Sequence, residues 1–376
     1  LLVVTGERSS FDPSRNFAVL DALRGLCAVL VAVFHFHTTG YIVSLPIVRN
    51  AWLFVDFFFV LSGFVIAHSY GDRLITGQIS VVRFMGLRMG RIYPLHLAVL
   101  AMLLVLELAL TVFHDSLGQF TARQPFTGDR SLSQLFQTAF LLNSFGISNS
   151  IGWHGPSWSI AAEMWTYLLF AIVLSVFRQR FLLVTGLIVA ATMCWLVLAR
   201  GSLSATYDWG FIRCVFGFGI GFLTYHVFRR FAWQGGNLAE LLVVAGMIAF
   251  VSLSGYDSSS FAAPLVFAIS IYVLASESGV VSRLLSKPFF HFLGLTSYSI
   301  YMMHVFVQMR FLEVLQVAGL VEVEATEFGG IAIVADPLVA DLATLAMLAL
   351  LIPAAHVSYR LFEKPGRELS RRWLAR

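Results

Sequence analysis

The sequence predicts an all-α protein, a polytopic membrane helical bundle of about ten transmembrane helices with short re-entrant or interfacial helices. Of its 376 residues, 58% are hydrophobic and only 12% are charged, whereas a soluble globular chain carries about 25% charged residues. Mean hydropathy is +0.81. The apolar residues also gather into windows of roughly 20, the length that crosses a bilayer as a helix.

In order, the windows cover 18–39, 52–69, 89–113, 158–177, 181–199, 209–228, 237–255, 260–276, 297–313 and 338–358. "LSQLFQTAFLLNSF" (132–145) and "PFFHFLG" (288–294) are too short to cross and read as re-entrant or interfacial pieces. The opening stretch, 1–17, lacks an adequate apolar core for a cleavable signal peptide and reads as a cytoplasmic segment. Residues 18–358 form one membrane domain, with no internal repeat or inverted halves, and 359–376 read as a basic cytoplasmic tail. An even number of crossings puts both ends on one side. With that side cytoplasmic, eighteen of the 25 lysines and arginines fall in inner segments, and the acidic loop 322–336 falls outside. Topology thus accounts for the basic balance, which gives no sign of a nucleic-acid partner. The three cysteines, Cys27, Cys194 and Cys214, lie inside apolar segments and offer no disulfide framework.

Against this background ionisable residues inside the windows stand out, because they are expensive in a bilayer and mark functional sites by default. "RGLCAVLVAVFHFH" (24–37) places Arg24 and His35 eleven residues apart. On a helix that is about three turns plus 20°, one face, roughly 16 Å along the axis. Snorkelling of Arg24 to headgroups and an interhelical polar contact at His35 account for them equally well. His35 and His37 diverge on a helix, so no metal site is predicted. "RFMGLRMGRIYPLHL" (83–97) sets Arg88 and Arg91 side by side at the inner mouth of the third window. Paired guanidinium groups match phosphate oxygens, so anion capture competes with ordinary positive-inside decoration, the reading favoured for Arg73 and Arg83. In "HGPSWSIAAEMW" (154–165), Glu163 enters the fourth window at a depth like that of His35, which makes an imidazole–carboxylate pair the economical expectation. His154 reads as a loop residue or substrate contact.

Together with "VDFFFVLSGFVIA" (55–67), "SYSIYMMH" (297–304) and "FEKPGR" (362–367), these stretches resemble the acyltransferase-3 family of integral membrane O-acyltransferases, from Asp21 to Arg367. The ordered set is specific although each motif alone is weak. Cys27 and Ala161-Ala162 depart modestly from the family pattern. The resemblance implies transfer of an acyl group, usually acetyl, from cytoplasmic acyl-coenzyme A to a hydroxyl of an extracytoplasmic glycan or lipid-linked saccharide. It also implies a bacterial inner (plasma) membrane with both termini cytoplasmic. His35 and Glu163 would be catalytic, the first as general base and the second orienting its ring. Arg24, Arg88 and Arg91 would bind the coenzyme, and Ser62, His154, Tyr298 and His304 would line the channel or contact substrate. Any second-step acyl carrier outside the membrane would be a separate protein. The rival reading is a proton-coupled transporter or flippase, in which the same polar residues form a pathway. Acceptor identity, acyl length and oligomeric state are not fixed by these residues.

Overall fold

The computed structural model describes residues 15–113, 124–231, 235–325 and 331–374; most of the expected inner segment 1–17 and part of the connection between the third and fourth windows therefore lie outside the described residues. Each apolar window coincides with a helix: α1 (Ala18–Phe34), α2 (Phe54–Ile66), α3 (Val81–Val112), α4 (Ser157–Val176), α5 (Phe181–Arg200), α6 (Gly210–Arg230), α7 (Gly236–Leu253), α8 (Ala263–Leu274), α9 (Pro288–Val317) and α10 (Pro337–Ser358). Among the described residues, seven helical stretches are long and apolar enough to cross a membrane, those holding α2 to α7 and α10. The other three fall short for visible reasons. α1 has 17 residues, the stretch holding α8 is of the same short class, and α9, with 30 residues, is diluted by buried Ser297, Ser299, His304 and Gln308.

Several boundaries differ from expectation. Residues 288–294 are not re-entrant but form the first turns of α9, with Pro288 at the helix start, where its missing N–H costs nothing. α3 begins at Val81, capped by the Ser80 hydroxyl, so Arg88 and Arg91 sit well inside a helix. The segment 132–145 is helical only over Leu132–Ala139. After α10 the chain makes a wide π turn over Tyr359–Glu363 and continues as α11 (Lys364–Leu374). α11 is docked rather than loose, with Ser370 against Gly90 and Pro94 against Gly366. The loop 322–336 contributes a hairpin, β1 (Glu322–Ala325) and β2 (Ile331–Val334), antiparallel with Glu322 opposite Val334. Ile333 ties it to the end of α1 by donating its N–H to the His37 carbonyl.

α2 and α6 form the centre. Their backbones approach so closely that a methyl on Gly63 would overlap the Phe218 carbonyl, and one on Gly221 the Val60 carbonyl. Small residues at such crossings let dispersion and backbone contacts replace the hydrophobic drive that lipid does not supply. The same helix pair carries a buried ion pair. Arg213 donates from Nε to Asp56 Oδ1 at 2.9 Å and from its second terminal nitrogen to Oδ2 at 2.6 Å. The guanidinium lies between the Trp52 and Trp158 rings, 5.2 and 5.5 Å from their centroids. Exposed leucines such as Leu187, Leu198, Leu242 and Leu345 put α5, α7 and α10 on the outside, where hydrocarbon would cover them.

Gly221→Ala is expected to destabilise the protein by about 1–3 kcal/mol, because overlap with backbone cannot be relieved by a rotamer change. Gly186→Ala on α5, where nothing lies within 4 Å, should melt at or above the parent temperature. Fluorescence-monitored melting in detergent distinguishes the two, and equal melting would show that the α2–α6 contact is not tight.

Candidate active site

Parallel packing of α1 on α9 builds the site's frame. Gly25 lies so close to Leu293 and Gly294 that a methyl there would clash, and a methyl on Gly294 would meet the Asp21 carbonyl at 2.5 Å. This crossing sets Arg24 beside α9, where its Nε donates to the Ser297 hydroxyl at 2.8 Å and a terminal nitrogen to the Gly294 carbonyl at 3.2 Å. Asp21 pairs with it at 3.0 Å. Arg24 thus turns inward and does not snorkel.

Around it opens a cavity of about 390 Å³, whose lining includes Arg24, Arg73, Arg88, Arg91, Arg367 and Arg371, with Asp21 and Glu363 as its carboxylates. Two carboxylates among six guanidinium groups leave this mouth positive. Arg88 donates to the Tyr70 hydroxyl at 2.8 Å and lies over the Tyr70 ring, while its Nε is buried without a partner. Glu363 accepts from the Ser299 hydroxyl at 3.1 Å and lies 3.7 Å from Arg367. Tyr70 and Glu363 both come from π turns, Ala67–Gly71 and Tyr359–Glu363, a distortion that recurs at functional sites.

The mouth leads into an inner chamber of about 100 Å³ that shares Arg24, Val65, Ile66, Arg88 and Arg91 with it. Apolar residues, among them Val55, Phe58 and Phe59, make up much of its wall. The polar part is a hydrogen-bonded chain. Tyr167 donates to Glu163 Oε1 at 2.6 Å, so the Ser62 hydroxyl, 2.7 Å away, must donate to Tyr167. Tyr298 is spent on the Ile92 carbonyl at 2.7 Å, and Tyr301 meets Ser159 at 2.7 Å.

Beyond Tyr301 stand two imidazoles. The His304 ring is 5.6 Å from Tyr301 and 4.9 Å from His35, and His35 is in turn 4.9 Å from Phe34. Phe34 and His37 line a third cavity, of about 560 Å³, at the far end of α1. The two imidazoles thus lie in a chain of rings that runs from Tyr301, on the chamber wall, to Phe34, on the wall of this outer cavity. A carbonyl only accepts, so His35 Nδ1, 2.8 Å from the Val31 carbonyl, must carry the proton. Nε2 is left with its lone pair. His304 is held the same way by the Tyr301 carbonyl at 2.5 Å, but its Nε2 is buried and unpartnered.

A family model for an acyltransferase domain, acyltransferase-3, matches residues 17–355. The chain belongs to the acyltransferase-3 family. Protein 2 in the picA locus of Rhizobium radiobacter is 38% identical over 94 residues, which is 25% of this chain and 47% of that relative; the match spans just under half of the relative's length. No solved structure matches.

In this family member the expected residues divide. Arg24, Arg88, Arg91, Ser62, Glu163 and Tyr298 all line the inner chamber. The expected His35–Glu163 pair is not formed: the carboxylate bonds Tyr167 one turn along its own helix, and a backbone carbonyl orients the imidazole. His154 is not a substrate contact either. It is buried, with Nε2 donating to the Met302 carbonyl at 2.9 Å. Trp153 and Trp158, on either side of His154 in the chain, are both buried. Arg73, read as decoration, lines the mouth. Sequence reading missed Tyr70, Tyr167, Ser297, Tyr301 and Arg367. The i, i+4 spacing of Glu163 with Tyr167 and of Glu363 with Arg367 was the available signal.

Tyr167→Phe should cost roughly 1.5–3 kcal/mol, the worth of a hydrogen bond to a charged group. Adding Glu163→Gln should cost little more, because both changes break the same bond. Thermal melts of the two single variants and the double variant test this; fully additive losses would show that the bond is not formed.

Proposed function

We propose that the protein is a membrane O-acyltransferase that carries an acyl group, in the first instance acetyl, from acyl-coenzyme A at the arginine mouth to a hydroxyl of a glycan entering from the far side. The mouth would face the cytoplasm of a bacterial cell, with both termini on that side of the inner membrane. The observation that carries this reading is an arginine mouth, one of its guanidinium groups with a buried unpartnered Nε, that opens into an apolar-walled chamber lined by Tyr301, whose ring lies 5.6 Å from His304, itself 4.9 Å from His35. The residues suit the donor's chemistry. Arg88, Arg91 and their neighbours would hold its phosphates, and the narrow chamber would hold its uncharged arm. Ser62, Ser159 and Ser297 are the serine hydroxyls along that wall.

His35 is the base. Its Nε2 takes the acceptor's hydroxyl proton while the acceptor oxygen bonds to the thioester carbonyl carbon. The carbon–sulfur bond then breaks, and the sulfur leaves with the proton returned from His35. A thiol's reference pKa of about 8.5 makes it a competent leaving group without a dedicated acid. Glu163 plays a different part from the one its depth implied: with Tyr167 it fixes the chamber wall and counters Arg88 and Arg91.

His35→Ala should lower acyl transfer by about 10²–10⁴-fold, the worth of a general base, with an unchanged elution profile and melting curve. Mass spectrometry of surface glycans from cells making either form reads the product, and normal acylation by the variant would end the general-base role. Charge reversal at Arg88 and Arg91 should raise the dissociation constant for coenzyme A by at least about tenfold. Unchanged calorimetric affinity would remove the pair from the donor site.

A further inference from the structure

The outer cavity beside His35 has a composition of its own. Tyr256 is 58% exposed, and one face of its ring is stacked on Trp52 at 4.6 Å and 7°. Trp52 is buried and backed by the Arg213 guanidinium, so the tyrosine is a fixed plate with one face free. Arg49, at the end of the Pro46–Arg49 turn, lines the same cavity, is exposed and forms no ion pair among the described residues. The nearby Asp257 instead accepts from the Ser259 N–H at 2.8 Å. Asn50 and Ser254 add amide and hydroxyl groups to the lining.

A flat aromatic plate, a free guanidinium and short polar groups suit a sugar that carries a carboxylate. The ring's C–H face would lie on Tyr256, the carboxylate would take paired hydrogen bonds from Arg49, and a hydroxyl would point toward Phe34 and His35. An uncharged sugar would use the plate and leave the guanidinium idle. We infer that this cavity is the acceptor site and that it selects an acidic saccharide, one bearing uronate-type carboxylates, through Arg49 and Tyr256. This inference rests on the acyltransferase reading for its purpose, but its binding chemistry can be tested separately.

The full chain in lipid nanodiscs would be titrated calorimetrically with oligogalacturonate, with the uncharged maltohexaose and, on the same preparation, with coenzyme A. The acidic oligosaccharide should bind at least roughly tenfold more tightly than the neutral one. Arg49→Gln should abolish that preference, and Tyr256→Ala should weaken both sugars, with coenzyme A binding unchanged in both variants. Equal affinity for the two sugars, no binding of either, or a preference that survives Arg49→Gln would overturn the inference. Failure of the parent to bind coenzyme A would instead count against the acyltransferase reading, leaving the sugar result to stand or fall by itself.

Discussion

The close parallel crossing of α1 on α9 is the constraint on which the rest of the site depends. With glycine at 25 and 294, the two backbones meet near one end, and parallel helices in contact there stay in register along their length. The same pair therefore sets Arg24 against Ser297 and Gly294, Gln308 against the Ala32 carbonyl at 2.6 Å, and His304 against His35. Two distant pieces of chemistry, cation and imidazole, are placed by one backbone contact. A side chain at either glycine would move both, which is why small residues matter more here than any single hydrogen bond.

A second constraint follows from the cost of charge away from water. The bundle contains two solutions to it. Asp56 and Arg213 are matched one to one, with every guanidinium nitrogen bonded and aromatic rings on both sides, so that pair acts as a rivet between α2 and α6. The cations of the mouth are matched only in part, Arg24 by Asp21 and Arg367 by Glu363. Arg88 keeps an unpartnered Nε, and the mouth carries more guanidinium than carboxylate. Full pairing suits a structural charge, whereas the surplus in the mouth is what the proposed anion binding would use.

All ten helices were legible in the sequence because apolar length alone determines them. The windows missed what happens beyond the hydrocarbon, where α3 and α9 continue as helix and α11 folds back on α3, since hydropathy is blind to helix in polar surroundings. Arg24 and His35 were legible as one face, and both do face α9. The partner of His35 was not. Equal depth on two helices made Glu163 a reasonable candidate, yet depth fixes one coordinate and leaves rotation about each axis free. Glu163 points toward Arg88 and Tyr167, and the backbone carbonyl that orients His35 belongs to its own helix, where no side-chain pattern records it. Tyr256 was equally hidden, because a loop tyrosine acquires meaning only when Trp52 fixes its ring.

That backbone orientation bears on the proposed chemistry. A carboxylate behind His35 would stabilise the imidazolium and keep the proton there. A neutral carbonyl sets the same tautomer but stabilises the charged ring less, so the proton would be held weakly and released readily. The proposed reaction needs that behaviour, because the proton taken from the acceptor must leave within the same turnover with a sulfur whose reference pKa is only about 8.5. Placing the carboxylate one cavity away, where it bonds Tyr167 and offsets arginines, keeps both functions in one bundle without letting the acid trap the base in its charged form.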